Sequence, residues 1–276
     1  MKILVLTKLS EQDNYVLDFM KRLSTRVDIS AEILNVVKAP SEIPLQHSGE
    51  IISVCYDFDT APLEAMQEKA GQQLTLIKEQ HDFIQATSVK IGDPYRIIQE
   101  ALKGSTYDMI FMGAHVSTTF EDAFSKTFIE KVKDKTDIPI LSLKCDRSEI
   151  QFEKIGVFSC FEEIIEADQL RLMSVIQQAF GSEAHFYVTQ KEGSITDLDK
   201  LKEKVLEFAT LNHIKEPKLH LINNSHKVGS EIQNEVIQEG LSLISLVDFK
   251  RQSFSWLYNR DLKSQVANHL LAPIIF

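Results

Sequence analysis

The chain has 276 residues, 43% apolar and 25% charged, with a formal net charge of −10. That composition is close to globular averages and excludes disorder and fibre readings. The charge divides evenly, with 17 basic and 22 acidic side chains in residues 1–147 and 13 and 18 in residues 148–276, so no basic stripe is present to meet a nucleic acid.

Glycine is scarce. Ten are present, against about nineteen expected from average usage, and no two are closer than nine residues. A dinucleotide fingerprint needs glycines two and three apart, and a P-loop needs a pair five apart before Lys. Both cradles depend on clustered residues without a Cβ, where backbone can approach an anion, and neither is present. No apolar run approaches the ~20 residues of a membrane span, and MKILVLTK is shorter than a signal peptide requires. Cys55, Cys145 and Cys160 are too far apart for a Cys-x-x-Cys pair or a disulfide framework. A reducing cytoplasm without a membrane partner is the expected setting.

In chain order, Lys2–Thr7 predicts a buried strand, followed by a helix with Val16, Phe19, Met20 and Leu23 on one face. Glu32–Val37 is a second strand. Thr60 and Pro62 open a long helix that should turn Leu63, Met66, Ala70 and Ile77 inward. Then come a strand over Thr87–Ile91, a helix from Pro94 to Leu102 capped by Gly104, and a strand over Met109–Met112. A helix over Phe124–Val132 and a strand over Ile138–Leu143 complete this part.

The pattern then begins again. Ile155–Phe158, His185–Val188, Leu219–Ile222 and Leu243–Val247 read as strands. Between them lie helices using Leu172, Val175, Ile176 and Ala179, then Leu198, Leu201, Val205 and Phe208, then Ser230–Glu239. A last helix over Leu262–His269 leads to Pro273–Phe276. Strands alternating with helices predict parallel sheets covered on both faces. Val132-x6-Pro139 recurs as Val266-x6-Pro273, and Ile3-Leu-Val as Ile155-Gly-Val. The two offsets, 134 and 152, differ by 18 residues, a difference that falls almost wholly where residues 38–60 are replaced by 190–195. A duplicated domain differing by one loop accounts for both offsets.

The block Val89-x2-Gly92-Asp93-Pro94-x2-Ile97-Ile98, followed by Tyr107-Asp108-Met-Ile-Phe-Met-Gly113, resembles the universal stress protein family. Lys131-Val132 and Ile138-Pro139-Ile140-Leu141 continue it in register. The resemblance implies an α/β fold of two tandem Rossmann-like domains, 1–146 and 147–276. Each would be an open five-stranded parallel sheet with helices on both faces. Many members bind ATP at the carboxyl ends of the strands, where the strand order reverses.

Their phosphate loop reads Gly, two residues, Gly, nine residues, Gly, then Ser or Thr. Here Gly113 keeps the first position, Val116 and Lys126 replace the other glycines, and Thr127 keeps the hydroxyl. Glu121 and Asp122 add negative charge to that loop. The corresponding positions in the second half are Val247, Lys250, Arg260 and Asp261, which retain nothing of the motif. The family's Asp after the first strand is Lys8 in one half and Cys160 in the other. Neither an ammonium nor a thiol replaces a carboxylate as an acceptor.

These departures predict a non-enzymatic stress-response binding or regulatory protein without a resident cofactor, its nucleotide sites eroded in both halves. The competing reading is an ATP-binding, slowly hydrolysing member using a non-standard site of Lys8, Gly113, Lys126 and Thr127. A flavodoxin-like electron carrier shares the topology but lacks an FMN loop. Lys8 and Lys126 either gather an anion or are solvated lysines. Cys160 is either a reactive thiol or a small core filler. His115 has no companion at metal-ligand spacing. Ser10/Glu11 and Glu162/Glu163 read as helix-start residues. Residues 38–60 form either an interface or a flap over the sheet edge. Phe254, Trp256, Leu257 and Tyr258 either fill the second cleft or dock a partner. The resemblance also implies an intramolecular pseudo-dimer, with Ile138–Lys144 and Ala272–Phe276 as edge strands, and a further homodimer or protein partner.

Overall fold

The apolar, β-branched run Lys2–Thr7 forms strand β1, buried along almost its whole length. The computed structural model describes residues 1–52, 58–104, 106–113, 132, 136–143, 150–159, 167–191, 197–224, 228–247 and 272–275. The chain divides into two compact units, Met1–Ile140 and Leu141–Phe276.

In the first unit, helix α1 (Glu11–Ser24) follows β1 and buries Val16, Phe19, Met20 and Leu23 completely, as the three- and four-residue spacing predicts. Strand β2 (Ser30–Lys38), helix α2 (Ala61–Gln80) and strand β3 (Ile84–Gly92) come next. Helix α3 (Pro94–Leu102) starts on Pro94 after the N-cap Asp93, whose carboxylate accepts from the Arg96 amide at 2.7 Å. Gly104 follows its end at φ +66°, and strand β4 (Met109–Gly113) completes the set.

The strand order is β3-β2-β1-β4, and every one of these pairings is parallel. β1 and β4 therefore end side by side at the carboxyl edge, where the order reverses. Residues on α1 and α2 share a pocket with Val5, Thr7 and Ile33. Ile97, Glu100 and Ala101 of α3 share another with Leu4, Glu32 and Ser88. Helices thus cover both faces.

The inward stripe of α2 differs from the predicted one. Met66 is exposed, and Gln67 takes its place, donating from Nε2 to the Val89 carbonyl at 2.9 Å. Ala70 and Leu74 are buried, so the stripe reads 63, 67, 70, 74 and 77. An apolar residue one step out of phase had concealed a polar one in phase.

The insertion after β2 forms a strap. Leu45 and Ile51 form an antiparallel bridge, as do Glu50 and Gly92. Ile51 donates to the Ile91 carbonyl at 3.1 Å, closing the carboxyl end of edge strand β3. Apolar contacts of Leu45 and Ile51 with Val37, Ala39 and Ile91 hold it there. Glycine is required where strap meets strand. A Cβ on Gly92 would lie 1.9 Å from the Gly49 carbonyl oxygen, whereas the present backbone lets Asp93 N–H donate to that oxygen at 2.8 Å. Val54 and Tyr56 lie outside the described residues.

In the second unit, β5 (Ile140–Leu143), which straddles the divide, and β6 (Lys154–Ser159) precede helix α4 (Asp168–Phe180), which buries Leu172, Met173 and Ile176. Strand β7 (Glu183–Lys191), helix α5 (Leu198–Leu211), strand β8 (Lys218–Asn224), helix α6 (Val228–Gln238), strand β9 (Leu243–Leu246) and strand β10 (Ile274–Ile275) complete it. Leu201, Val205 and Phe208 of α5 are buried as predicted. Leu198 is exposed instead, because it stands at the first helical position beside the N-cap Asp197.

Parallel pairings join β6 with β7 and β9, β7 with β8, and β9 with β10. β10 also pairs antiparallel with β5, Ile274 opposite Ser142 and Ile275 opposite Leu141. The internal registers of the two units correspond. Leu4 stands opposite Glu32 and Ile110, and Gly156 opposite His185 and Ile244. Ile110 donates to the Pro139 carbonyl, and Ile244 donates likewise to that of Pro273. The predicted helices over Phe124–Val132, apart from the buried Val132 itself, and over Leu262–His269 lie outside the described residues.

Candidate functional site

The carboxyl edge of β1 turns on one carboxylate. Asp13, buried near the start of α1, accepts from the Lys8 amide at 3.0 Å, the Ser10 amide at 2.9 Å and the Ser10 hydroxyl at 3.0 Å. Ser10 is the N-cap residue of α1, so its role as a helix-start residue holds. Leu9 adopts φ +60°, and its amide donates to Thr7 Oγ1 at 2.9 Å. Asn35, buried near the end of β2, donates from Nδ2 to the Thr7 carbonyl at 2.9 Å. The loop is therefore closed on itself.

Beside it, between α1 and α2, a cavity of about 320 Å³ is lined by Thr7, Ser10, Asp13 and Asn14 at its polar end and by Val5, Leu17 and Leu74 at its apolar end. Lys8 follows β1 directly, and Gly113 is the buried last residue of β4. Leu6 stands opposite Met112, so two of the four predicted ligand residues lie at neighbouring strand ends. Lys126 and Thr127, the other two, lie outside the described residues. So do Val116, His115, the three cysteines, Glu162, Glu163 and the aromatic cluster around Trp256. Among the described residues no group of three His, Cys, Asp or Glu is placed to hold a metal.

The sequence reading missed Asp13 and Asn35. Ser10-x-x-Asp13 has the spacing of a capping box, and Asn35 interrupts an apolar strand at the edge where ligands bind in such folds. Both signals were present.

The opposite sheet face of the first unit carries a second polar group. Tyr107 donates its hydroxyl to Glu32, and the Lys2 ammonium lies 2.9 Å from the same carboxylate and 4.8 Å from the Tyr107 ring centroid. The Tyr107 hydrogen bond, then Lys2, hold the Glu32 carboxyl below its ordinary range. Burial, then Glu32, push the Tyr107 phenol up. These groups face a groove of about 320 Å³ whose lining includes Leu4, Leu34, Ala86 and Ser88.

In the second unit the corresponding register positions carry rings. Phe158 stacks on Tyr187 at 4.5 Å between centroids, and Tyr187 on His220 at 4.6 Å. His185 Nδ1 lies 3.0 Å from His220 Nε2, and His185 Nε2 lies 3.3 Å from Glu183, which pairs with Lys218 at 2.7 Å. Burial lowers the His185 imidazole pKa and raises that of the Tyr187 phenol.

Parallel strands interleaved with helices on both faces, with a gripped loop at the point where strand order reverses, define an α/β protein of the Rossmann-like class. Residues 1–144 match the model of the universal stress protein family, and the chain belongs to that family. A universal stress protein from Archaeoglobus fulgidus DSM 4304 superposes with a TM-score of 0.69 at 18% identity, over 99% of this chain and 94% of that one. A putative universal stress protein from Pseudomonas aeruginosa UCBPP-PA14 gives 0.58 at 13% identity, over 99% and 91%. The cytoplasmic domain of a prokaryotic cation chloride cotransporter gives 0.51 at 12%, over 100% and 94%. At these identities the likeness concerns the fold alone. No curated protein sequence matches the chain, and among the described residues no helix is long and apolar enough to cross a membrane.

Proposed function

We propose that this chain is a non-enzymatic stress-response binding or regulatory protein of the universal stress protein type, with nucleotide sites eroded in both halves. The observation that carries this reading is the Asp13 carboxylate, which takes the Lys8 and Ser10 amides and the Ser10 hydroxyl. Donors at the mouth of the site are thus occupied internally, and a negative charge stands where an anionic ligand would need them. Lys8 in place of an acceptor supports the same conclusion, as does the loss of loop glycines at 116 and 126.

The reading includes a duplication with domains 1–146 and 147–276, supported by the matching registers of the two units. It also includes a cytoplasmic location, which rests on the spacing of the three cysteines, and an intramolecular pseudo-dimer and a homodimer or protein partner, which rest on the family resemblance. Native mass spectrometry and thermal-shift titration with ATP, AMP and cyclic nucleotides test the erosion. No shift is expected. Saturable binding, or co-purified ATP, overturns it.

One observation favours the alternative, an ATP-binding and slowly hydrolysing member. Lys8 follows β1 beside the end of β4 at Gly113, and Thr7 and Leu9, on either side of Lys8, line a cavity of suitable size for part of a small molecule. In that reading Lys126 and Thr127 supply the remaining phosphate contacts, and Lys8→Ala abolishes the nucleotide-dependent shift.

A further inference from the structure

The outer edges of the two units are finished differently. In a parallel ladder alternate residues turn both backbone groups to the same neighbour. Gly92 accepts from Ala39 on β2, so the odd-numbered residues of β3 face outward. The chain closes that edge itself. Lys78 Nζ donates to the Gln85 carbonyl at 2.8 Å, Gln67 Nε2 to that of Val89 at 2.9 Å, and the Ile51 amide to that of Ile91 at 3.1 Å. The first two donors come from α2 and the third from the strap.

In the second unit Glu183 donates to Glu153 on β6, which leaves the Ala184 amide for β8. With His185 opposite Lys218, the outward residues of β8 are Leu219, Leu221 and Asn223. Among the described residues nothing bonds to their outward backbone groups. β7 ends at Lys191 and α5 begins at Leu198, so that link is too short to fold a strap like residues 38–60. Aligning the buried Ala70 and Leu74 of α2 with Leu201 and Val205 of α5 sets Leu198 at the Gln67 position and Ala209 at that of Lys78. Neither side chain can donate. Among the described residues of the second unit the exposed large apolar side chains are Leu198, Leu206, Leu211 and Leu221, all on α5 and β8. Sheets protect such an edge with charge, proline or a cover, and exposed apolar patches beside one mark an interface.

β8 is complementary to itself. Set antiparallel about Leu221, it places Leu221 opposite Leu221 of a second copy and Leu219 opposite Asn223. These are the outward residues, so each facing pair exchanges both bonds. Lys218 carries the strand's one formal charge and falls opposite Asn224, six positions from its copy, or about 20 Å at ~3.4 Å per residue. Parallel pairing would instead set the two lysines side by side, a destabilising arrangement.

We propose that β8 is the dimerisation edge of this chain. Two copies join through antiparallel β8 strands on a two-fold axis at Leu221, and Leu198 of each copy flanks the seam. The contact is isologous, so it closes as a dimer and leaves no open edge to propagate. This rests on the homodimer proposed above and assigns its surface.

Sedimentation velocity of the full-length chain over a concentration series reads the association, and backbone amide exchange reads its place. A dimer should form as concentration rises, with slowed exchange at Leu219, Leu221 and Asn223. Leu221→Lys brings two ammonium groups together on the axis and should weaken association at least about tenfold. Leu221 is 46% exposed, so the variant should keep the wild-type amide spectrum outside β8. Thr87→Lys, at the Leu219 position of β3, should leave association unchanged. A dimer that persists in Leu221→Lys, one equally weakened by Thr87→Lys, or β8 exchange indifferent to concentration would overturn this surface while leaving the homodimer. A chain that stays monomeric at about 100 μM, some 5 kcal/mol of association, would overturn both.

Discussion

The two units use one sheet face in opposite ways. The second fills it, with Phe158, Tyr187 and His220 stacked across three strands, while the first leaves a groove above Leu34, Ala86 and Ser88. The registers match from Glu32 and His185 onward, so the difference lies in side-chain volume and charge, and in the strap, whose Ser48 and Glu50 also line the groove. Compensation is visible at Gly156. A Cβ there would come within 2.6 Å of Leu241 Cδ1 and 3.2 Å of the Phe158 ring, so Leu241 and the ring row use the space that Leu4 fills in the first unit. Two units with matching ladders can thus use the same face differently.

The largest expected effect breaks the filled face. Tyr187→Ala removes a fully buried ring from the middle of the row and should cost about 3–5 kcal/mol. Leu34→Ala, at the matching position, borders a space that is already empty and should cost about 2 kcal/mol, the low end for such a truncation. Chemical denaturation with strand-resolved hydrogen exchange separates the two. Equal costs would mean that both faces are equally packed. Tyr187→Phe sharpens the point. Its buried hydroxyl meets no partner among the described residues, so its removal should change stability by less than about 1 kcal/mol, in the stabilising direction if at all.

Gly156→Val comes next. It drives a branched side chain into Leu241 and Phe158 and should cost about 1–3 kcal/mol by overpacking. Pairing it with Leu241→Ala should recover part of that loss, as expected for two residues sharing one space. Simple additivity in the double variant would show that the clash lies elsewhere.

Acid should weaken the filled face first. Burial depresses the His185 pKa in the folded chain below its ordinary 6.5. The unfolded chain therefore binds more protons once the pH falls through 6.5, and stability declines from there down to the folded value, staying level above. Glu32 is also depressed, from an ordinary 4.5. As an acid, it contributes stability that persists above 4.5 and is lost only as the pH falls below it. His81, which caps α2, carries the same sign as His185 through burial and the Lys21 charge, so the readout must be local. Between pH 6.5 and 5, amide protection in β7 and β8 should fall, and His185→Gln should flatten that fall. Undiminished pH dependence in the variant would assign the effect to another group.

Much of the fold was legible in the sequence because its signals are local. A continuous apolar run located β1 and the 3.6-residue stripe located α1 and α4, and Pro94 with Gly104 bounded α3. The site was legible in part. Lys8 and Gly113 come to neighbouring strand ends because parallel strands align their carboxyl termini. The Glu32–Tyr107 contact joins residues 75 positions apart, and the ring row depends on cross-strand register that no single strand encodes. Asp13 went unread for another reason: a carboxylate three residues after a Ser satisfies a helix start, and that local role hid its grip on the loop before it.

The smallest effect concerns the second helix of each unit. In α5 the inward positions Leu201, Val205 and Phe208 are all apolar, whereas α2 places Gln67 on its inward stripe and Met66 outside. Gln67 contributes one hydrogen bond, to the Val89 carbonyl on edge strand β3, and the half-buried stem around it. Gln67→Ala should therefore cost about 1 kcal/mol and speed amide exchange at the outer end of β3. Met66→Lys replaces a side chain that is 58% exposed and should stay within about 0.5 kcal/mol of wild type. If Met66→Lys proved the more damaging of the two, the stripe would run as apolar spacing suggests, and α2 would be turned by one residue on the sheet. The two substitutions together measure the helix's rotation, because adjacent residues on a helix point about 100° apart and only one of them can face the strands.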